Sequence, residues 1–257
     1  MLKALPLAIL LAAAPAWAQE SAPDQPSPPP AATPSALPAF DFSAEAILFS
    51  DYRFRGVSRS DENVAVQAGF TIRHDSGIYA GARGTTLRGN DPYRLRNPGF
   101  RDQGDGEFDL YAGYGRALGG GFDLDAGVMY YAFAGGRGAT DYAEPYASLS
   151  WLIGPAQLTG GVKYAPSQAA TGHQDMVYLY GQVDLSIPFR PWTFSAQAGR
   201  QSWGVYGDYW NWSLGARYHL RLPGLPRAEL GLAYVDTNLP ARRGQDAGVQ
   251  ASLGLSF

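Results

Sequence analysis

The chain of 257 residues contains no cysteine. That removes disulfide frameworks, thiolate zinc sites, iron-sulfur clusters and cysteine nucleophiles together. A surplus of either charge is missing as well: 20 Lys and Arg stand against 23 Asp and Glu, a formal net charge of -3. A nucleic-acid-binding domain would carry a basic excess, so no nucleic-acid partner is expected. Long hydrophobic runs are also scarce. The charge-free window from Pro145 to Val162 is broken by Gly154, Pro155, Gly160 and Gly161, so it makes no membrane-spanning helix. What the chain has in quantity is glycine (32), proline (19) and tyrosine (16), with charged residues at only 17%. This composition is rich in turns and strands.

The N-terminus reads as a secretory signal peptide over residues 1–18. Lys3 gives a basic start, Leu5 to Ala14 an apolar run, and Ala16-Trp17-Ala18 a small-x-small cleavage site. Residues 19–39 follow as a low-complexity linker carrying Pro23, Pro26, Pro28, Pro29, Pro30, Pro34 and Pro38, a composition that cannot bury a core. The folded unit is then expected over residues 40–257, outside the cytoplasm.

From Phe40 onward the hydrophobic period is two. Val249, Ala251, Leu253, Leu255 and Phe257 alternate with Gly248, Gln250, Ser252, Gly254 and Ser256, placing the apolar side chains on one face of a strand. The same alternation marks twelve segments: 43–57, 63–74, 77–86, 106–117, 121–133, 141–153, 156–165, 175–188, 192–200, 208–222, 226–236 and 246–257. Connections alternate between long, such as Leu87 to Asp105, and tight, such as Asp75-Ser76 and Gly154-Pro155. Long loops on one rim and short turns on the other predict an all-β fold, an antiparallel transmembrane β-barrel with both termini on the short-turn side.

A soluble β-protein with the apolar face inward would show the same alternation. Two features favour the apolar face outward. A barrel of about twelve strands encloses more volume than side chains readily fill, so an apolar interior would be a dry void. Aromatic residues also cluster at strand ends: Tyr52, Phe54, Tyr130, Trp210, Trp212 and Tyr234 toward the long loops, with Trp151, Trp192 and Phe257 toward the short turns. Such clusters are expected as interfacial girdles. The chain ends on Phe257, a terminal aromatic of the kind that barrel-insertion machinery reads in bacterial outer-membrane barrels.

The stretch Ser50-Asp51-Tyr52-Arg53-Phe54-Arg55-Gly56-Val57-Ser58-Arg59-Ser60 resembles the opening strand of the TorF-type porin family of proteobacteria. Ser76 to Gly81, Phe108 to Tyr114, Tyr142 to Tyr146 and the last strand resemble it more generally. The long loop and the Pro-rich stretch depart from that family's pattern. The resemblance implies a porin-type barrel in the bacterial outer membrane, without defining its solute.

If the apolar face is outside, the inward groups are candidate pore-lining residues. They are Asp51, Arg53, Arg55, Arg83, Asp109, Asp125, Glu144, Lys163 and Arg217, accompanied by Glu45, Arg73, Glu107, Asp123, Asp184, Arg221, Arg227 and Glu229. Basic groups gather on the first three segments and the tenth, acidic groups on the fourth to sixth. This pattern predicts either a transverse field across an aqueous pore or cross-lumen pairs that plug it. The loop Leu87 to Asp105 carries Arg88, Arg94, Arg96 and Arg101 against Asp91, Asp102 and Asp105. It has three readings: an inward constriction, a site for anionic lipopolysaccharide, or a solvated surface loop.

Nothing points to catalysis. The three histidines, His74, His173 and His219, lie far apart in the sequence, and His219 is expected to face inward at the short-turn end. That is the wrong place for a lipid-facing hydrolase. Asp123 and Asp125 have no nearby histidine to complete a metal site, and no cofactor is expected. The expected function is an outer-membrane channel for passive diffusion of small polar or charged solutes. The alternative is a closed barrel acting through its long loops, with Trp203, Tyr206 and Tyr209 as contact residues. Expected partners are outer-membrane lipid and lipopolysaccharide, the insertion machinery and the solutes; nothing in the sequence sets the oligomeric state.

Overall fold

In a sheet with lipid on one face and a lumen on the other, side chains must alternate apolar and polar at every second residue, and every backbone group must find a partner in a neighbouring strand. A computed structural model describes residues 40–88, 103–220 and 227–257 and shows this arrangement closed on itself. The expected signal peptide and Pro-rich linker, the loop residues Asp91, Arg94, Arg96, Arg101 and Asp102, and Arg221 lie outside the described residues.

The strands are β1 (Phe40–Phe49), β2 (Arg53–Phe54), β3 (Val57–Ser58), β4 (Ala65–His74), β5 (Ile78–Thr86), β6 (Gly104–Gly119), β7 (Phe122–Gly135), β8 (Tyr142–Ile153), β9 (Ala156–Ala165), β10 (Met176–Ser186), β11 (Trp192–Ser202), β12 (Asp208–Leu220), β13 (Arg227–Thr237) and β14 (Gly248–Ser256). Twelve of them, β1 and β4 to β14, form a closed antiparallel barrel in chain order, and β2 pairs only with β3. The seam runs between β1 and β14, with Ala46 opposite Leu255. Phe257 extends it: its N–H donates to the Ala44 carbonyl at 2.9 Å, and its carbonyl accepts from the Ala44 N–H at 3.3 Å. An even number of strands leaves both ends of the described chain on the short-turn rim.

Burial gives the direction of the faces. In β8, Tyr142, Glu144, Tyr146, Ser148 and Ser150 are buried, whereas the intervening Pro145 and Leu149 are exposed. The same exposed face carries Leu48, Val66, Phe70, Leu110, Val128 and Leu179 around the wall. Apolar outside and polar inside is the inverse of a soluble barrel and the surface that hydrocarbon requires. Tyr130, Trp210, Trp212 and Tyr234 are exposed toward the long-loop end; Phe122, Trp192 and Phe257 are exposed toward the other.

Inside, large side chains on one strand lie over glycines on a neighbour. A Cβ at Gly161 would meet the Tyr180 ring at 2.4 Å, one at Gly81 the Tyr111 ring at 2.4 Å and one at Gly113 the Tyr79 hydroxyl at 2.5 Å. Glycine in these strand interiors is therefore the space into which a lumen tyrosine folds, which offsets its poor strand propensity.

The expected strand over 43–57 is corrected. β1 ends at Phe49, and residues 50–60 leave the wall and fold into the lumen. Tyr52 is fully buried, and Phe54 is buried against Tyr131, so neither belongs to an interfacial girdle. The polar and aromatic residues alternate through this stretch because it forms a hairpin of its own. Phe54 and Val57 are paired around Arg55-Gly56, whose φ values are 50° and 86°. Two consecutive left-handed residues make the tight turn whose twist suits a two-residue hairpin.

Candidate functional site

The inner hairpin is organised first by its own polar groups. Asp51 accepts from Arg53 Nε at 2.6 Å, from Ser58 Oγ at 2.5 Å and from Ser60 Oγ at 3.1 Å. The Arg59 N–H donates to the Tyr52 carbonyl at 2.7 Å, and the Tyr52 N–H to Ser60 Oγ at 2.8 Å. One carboxylate thus ties both legs of the hairpin.

Two arginines then clamp the hairpin to the wall. Arg55 Nη2 reaches both carboxylate oxygens of Glu144 on β8, at 2.7 and 2.6 Å, while its Nη1 donates to Gln201 on β11 and its guanidinium lies 4.4 Å from the Tyr178 ring centre. Arg59 Nη1 donates to Glu107 on β6 at 2.5 Å, with its guanidinium 3.2 Å from the Phe54 ring centre. Arg55 and Glu144 are 2% and 1% exposed, and Glu107 is 0% exposed, so water is shut out of both contacts. The turn presses on the wall at β12 and β13, where a Cβ on Gly56 would stand 2.9 Å from Asn211 Cβ and 2.5 Å from Thr237 Cγ2.

A third set of contacts closes the rim. The Ser58 N–H donates to the Gly244 carbonyl at 2.7 Å, Arg53 Nη1 to the Asp246 carbonyl at 2.7 Å, and the Gly244 N–H to Glu62 Oε1 at 2.8 Å. The connection between β13 and β14 therefore holds the hairpin from outside.

Below the hairpin several lumen charges are paired. Arg83 and Asp109 are opposite each other on β5 and β6 and joined at 2.8 Å. Asp125 accepts from the Tyr79 hydroxyl at 2.6 Å, and Tyr79 is hydrogen-bonded to Tyr146. Lys163 is buried on β9 between Tyr146 and Tyr178 of the adjacent strands. Near the short-turn end Arg217 bonds Asp184 at 2.6 Å and lies 3.5 Å from Glu229. A cavity of about 40 Å³ lies among Ser195, Gly215, Arg217, Glu229, Gly231, Gln250 and Ser252. That is room for water and too little for a larger solute.

All nine candidate lumen residues are buried inside the barrel. Asp51, Arg53 and Arg55 stand on the hairpin rather than the wall, and Arg55 is brought to Glu144. Arg83 meets Asp109; Asp125, Lys163 and Arg217 occupy separate positions lower in the lumen. Arg55 with Glu144, Arg83 with Asp109 and Arg217 with Asp184 meet in ion pairs. Arg59, Tyr178 and Gln201, which sequence reasoning left out, complete the clamps. A signal for the inward fold is present in Ile47 and Phe49, apolar residues at lumen-facing positions of β1 that only an inner element could cover.

His219 faces the lumen near the short-turn end. Its Nδ1 lies 2.8 Å from Glu229, and its Nε2 is 2.9 Å from Thr193 Oγ1. This is the order of a hydroxyl, a base and an orienting carboxylate, but Thr193 lies within the ladders, opposite Ser186 and Arg217, where backbone N–H groups serve the sheet. Trp203 is half-buried and donates from Nε1 to the Thr171 carbonyl at 2.9 Å, so it packs against the loop between β9 and β10.

A closed twelve-strand wall with an apolar exterior and a charged interior defines a transmembrane β-barrel of the porin kind. The chain belongs to the family described as "Bacterial protein of unknown function (Gcw_chp)", whose model matches residues 31–252. The fold is similar to that of the NanC porin, at 13% identity and TM-score 0.53, covering 84% of this chain and 99% of that one. It is also similar to the KdgM porin, at 7% identity and TM-score 0.54, covering 84% and 98%. A second KdgM structure, in complex with disordered oligogalacturonate, matches at 8% identity and TM-score 0.54 with the same coverage. At such identities the likeness is one of fold. Among curated proteins no match is found.

Proposed function

We propose that this protein is a porin-type channel of the bacterial outer membrane, passing small polar or charged solutes by passive diffusion, and that its first loop closes it in the conformation described. The observation that carries this reading is the interior. A barrel serving only as an anchor gains nothing from buried ionic groups, whose desolvation is costly. Here the groups that block the upper lumen belong to a hairpin attached by loops, so the same charges become a hydrated lining when it withdraws. The resemblance of Ser50 to Ser60 to the TorF-type family supports the reading, and so do the porin-like fold and the signal-peptide pattern at residues 1–18. Asp51, Arg53, Arg55, Arg83, Asp109, Asp125, Glu144, Lys163 and Arg217 are proposed to line the pathway, and Phe257 to be read on insertion.

The tight burial of both clamps favours a second reading, a permanently closed barrel acting through its outer loops. Planar-bilayer recording separates the two. Wild-type protein, shown to be folded by heat-modifiable migration, is compared with the Glu107→Gln, Glu144→Gln double variant. Discrete conductance steps that become more frequent in the variant support a channel; silence from both establishes the closed barrel.

A further inference from the structure

The lumen is not equally filled all round. On β5 to β8 and on β10, buried tyrosines such as Tyr79, Tyr111, Tyr131, Tyr146 and Tyr178 occupy it; on β11 to β14, the inward positions hold Ser195, Gly215, Gly231 and Ser252, around the cavity already described. One inward step above Ser195 and Gly215 stand Gln197 and Ser213, opposite each other in register, with Asn211 one step higher. These three residues are 4%, 2% and 3% exposed, and each carries a side-chain atom with no hydrogen-bond partner among the described residues: Gln197 Oε1, Ser213 Oγ and Asn211 Nδ2.

Their orientation is set by Tyr178. Its hydroxyl donates to Asn211 Oδ1 at 3.0 Å and accepts from Gln197 Nε2 at 3.0 Å. That leaves an acceptor at Gln197, a donor at Asn211 and a hydroxyl at Ser213 facing the lumen. Buried polar groups left unmatched are destabilising, so a native fold retains them where something else completes the set. A sugar or polyol hydroxyl can donate to Gln197 Oε1 and accept from Asn211 Nδ2, while a second hydroxyl meets Ser213. The three groups are neutral, whereas the nearby ionic groups Arg217, Asp184 and Glu229 contact one another. The hairpin turn at Gly56 lies against Asn211 and covers the strip from above.

We infer that Gln197, Asn211 and Ser213 form a binding strip for neutral polyhydroxylated solutes on the β11 to β12 wall, uncovered when the inner hairpin moves. This rests on the channel reading for its biological use but not for its test. Sucrose binding is measured by saturation-transfer NMR on the micelle-solubilised full chain carrying Glu144→Gln to release the hairpin, with a polyethylene glycol of similar mass as control. KCl conductance is recorded on the same preparation.

The expected result is sucrose transfer without polyethylene glycol transfer, weakened about tenfold in affinity by Gln197→Met or by Ser213→Ala, the scale of one or two lost hydrogen bonds. Ser213→Ala removes a hydroxyl that bonds nothing among the described residues, so a loss of binding there is not a loss of structure. No sucrose transfer, or transfer unchanged in both variants, overturns the strip. Binding with a silent bilayer keeps the strip and removes the channel; conductance without binding does the reverse.

Discussion

Replacing Glu144 with Gln tests how the hairpin is held. The carboxylate accepts two charge-assisted hydrogen bonds from Arg55 Nη2, at 2.7 and 2.6 Å, and both residues are excluded from water. Removing one charge of such a pair leaves the other buried and uncompensated, at a cost of about 3 to 5 kcal/mol. Glutamine retains one acceptor, and Gln201 and the Tyr178 ring still face the guanidinium, so the lower end, about 3 kcal/mol, is appropriate. Withdrawal of the hairpin returns Arg55 to water and relieves that cost. The closed-to-open ratio should therefore fall by roughly a hundredfold, at about 1.4 kcal/mol per factor of ten. Glu107 holds a different arginine on a different strand, so Glu107→Gln should add a comparable factor. The assay is open probability in planar bilayers with protein whose folding is confirmed by heat-modifiable migration. Wild-type open probability in a folded Glu144→Gln variant would refute the reasoning, because the pair would then contribute nothing to closure.

Other outcomes follow from the same contacts. The double substitution Arg53→Glu, Arg55→Glu sets a carboxylate against Glu144 and removes two cations from the entrance; it should raise conductance and move the reversal potential in a KCl gradient toward cation selectivity. Gly161→Ala drives a methyl into the Tyr180 ring, where a Cβ would stand at 2.4 Å, so unfolding in urea should shift by about 1 to 3 kcal/mol, the usual cost of overpacking. Deleting Phe257 removes two backbone bonds to Ala44 at the seam as well as the terminal aromatic. The expected effect is a lower yield of heat-modifiable protein in outer-membrane fractions, with unassembled chain accumulating.

The wall was legible in the sequence because a membrane barrel imposes one rule along its whole length. Val249 to Phe257 and Trp210 to Leu220 could alternate only if two different solvents faced their two sides, and tight turns such as Gly154-Pro155 marked where each hairpin reversed. The inner hairpin was hidden by the same rule. Asp51, Arg53 and Arg55 keep the parity of the lumen-facing residues of β1, and Tyr52 and Phe54 occupy the places of girdle aromatics, so nothing in the period breaks at Ser50. The break is tertiary. Phe49 packs on Tyr52 and Phe54 on Tyr131, contacts that exist only when the chain turns inward. Arg59 was missed for a related reason: beyond Val57 the segment reads as loop, and its partner Glu107 is 48 residues further along the chain.

Closure of the lumen by this hairpin is tested most directly by tethering it. The chain has no cysteine of its own, and a Cβ at Gly244 would lie 3.3 Å from Ser58 Cβ, close to the separation that a disulfide spans. Ser58→Cys and Gly244→Cys, introduced together in the Glu144→Gln background, should give a silent bilayer when oxidised and recover conductance steps on reduction. Identical recordings in the two redox states, from protein in which the bond is shown to form, would contradict the account.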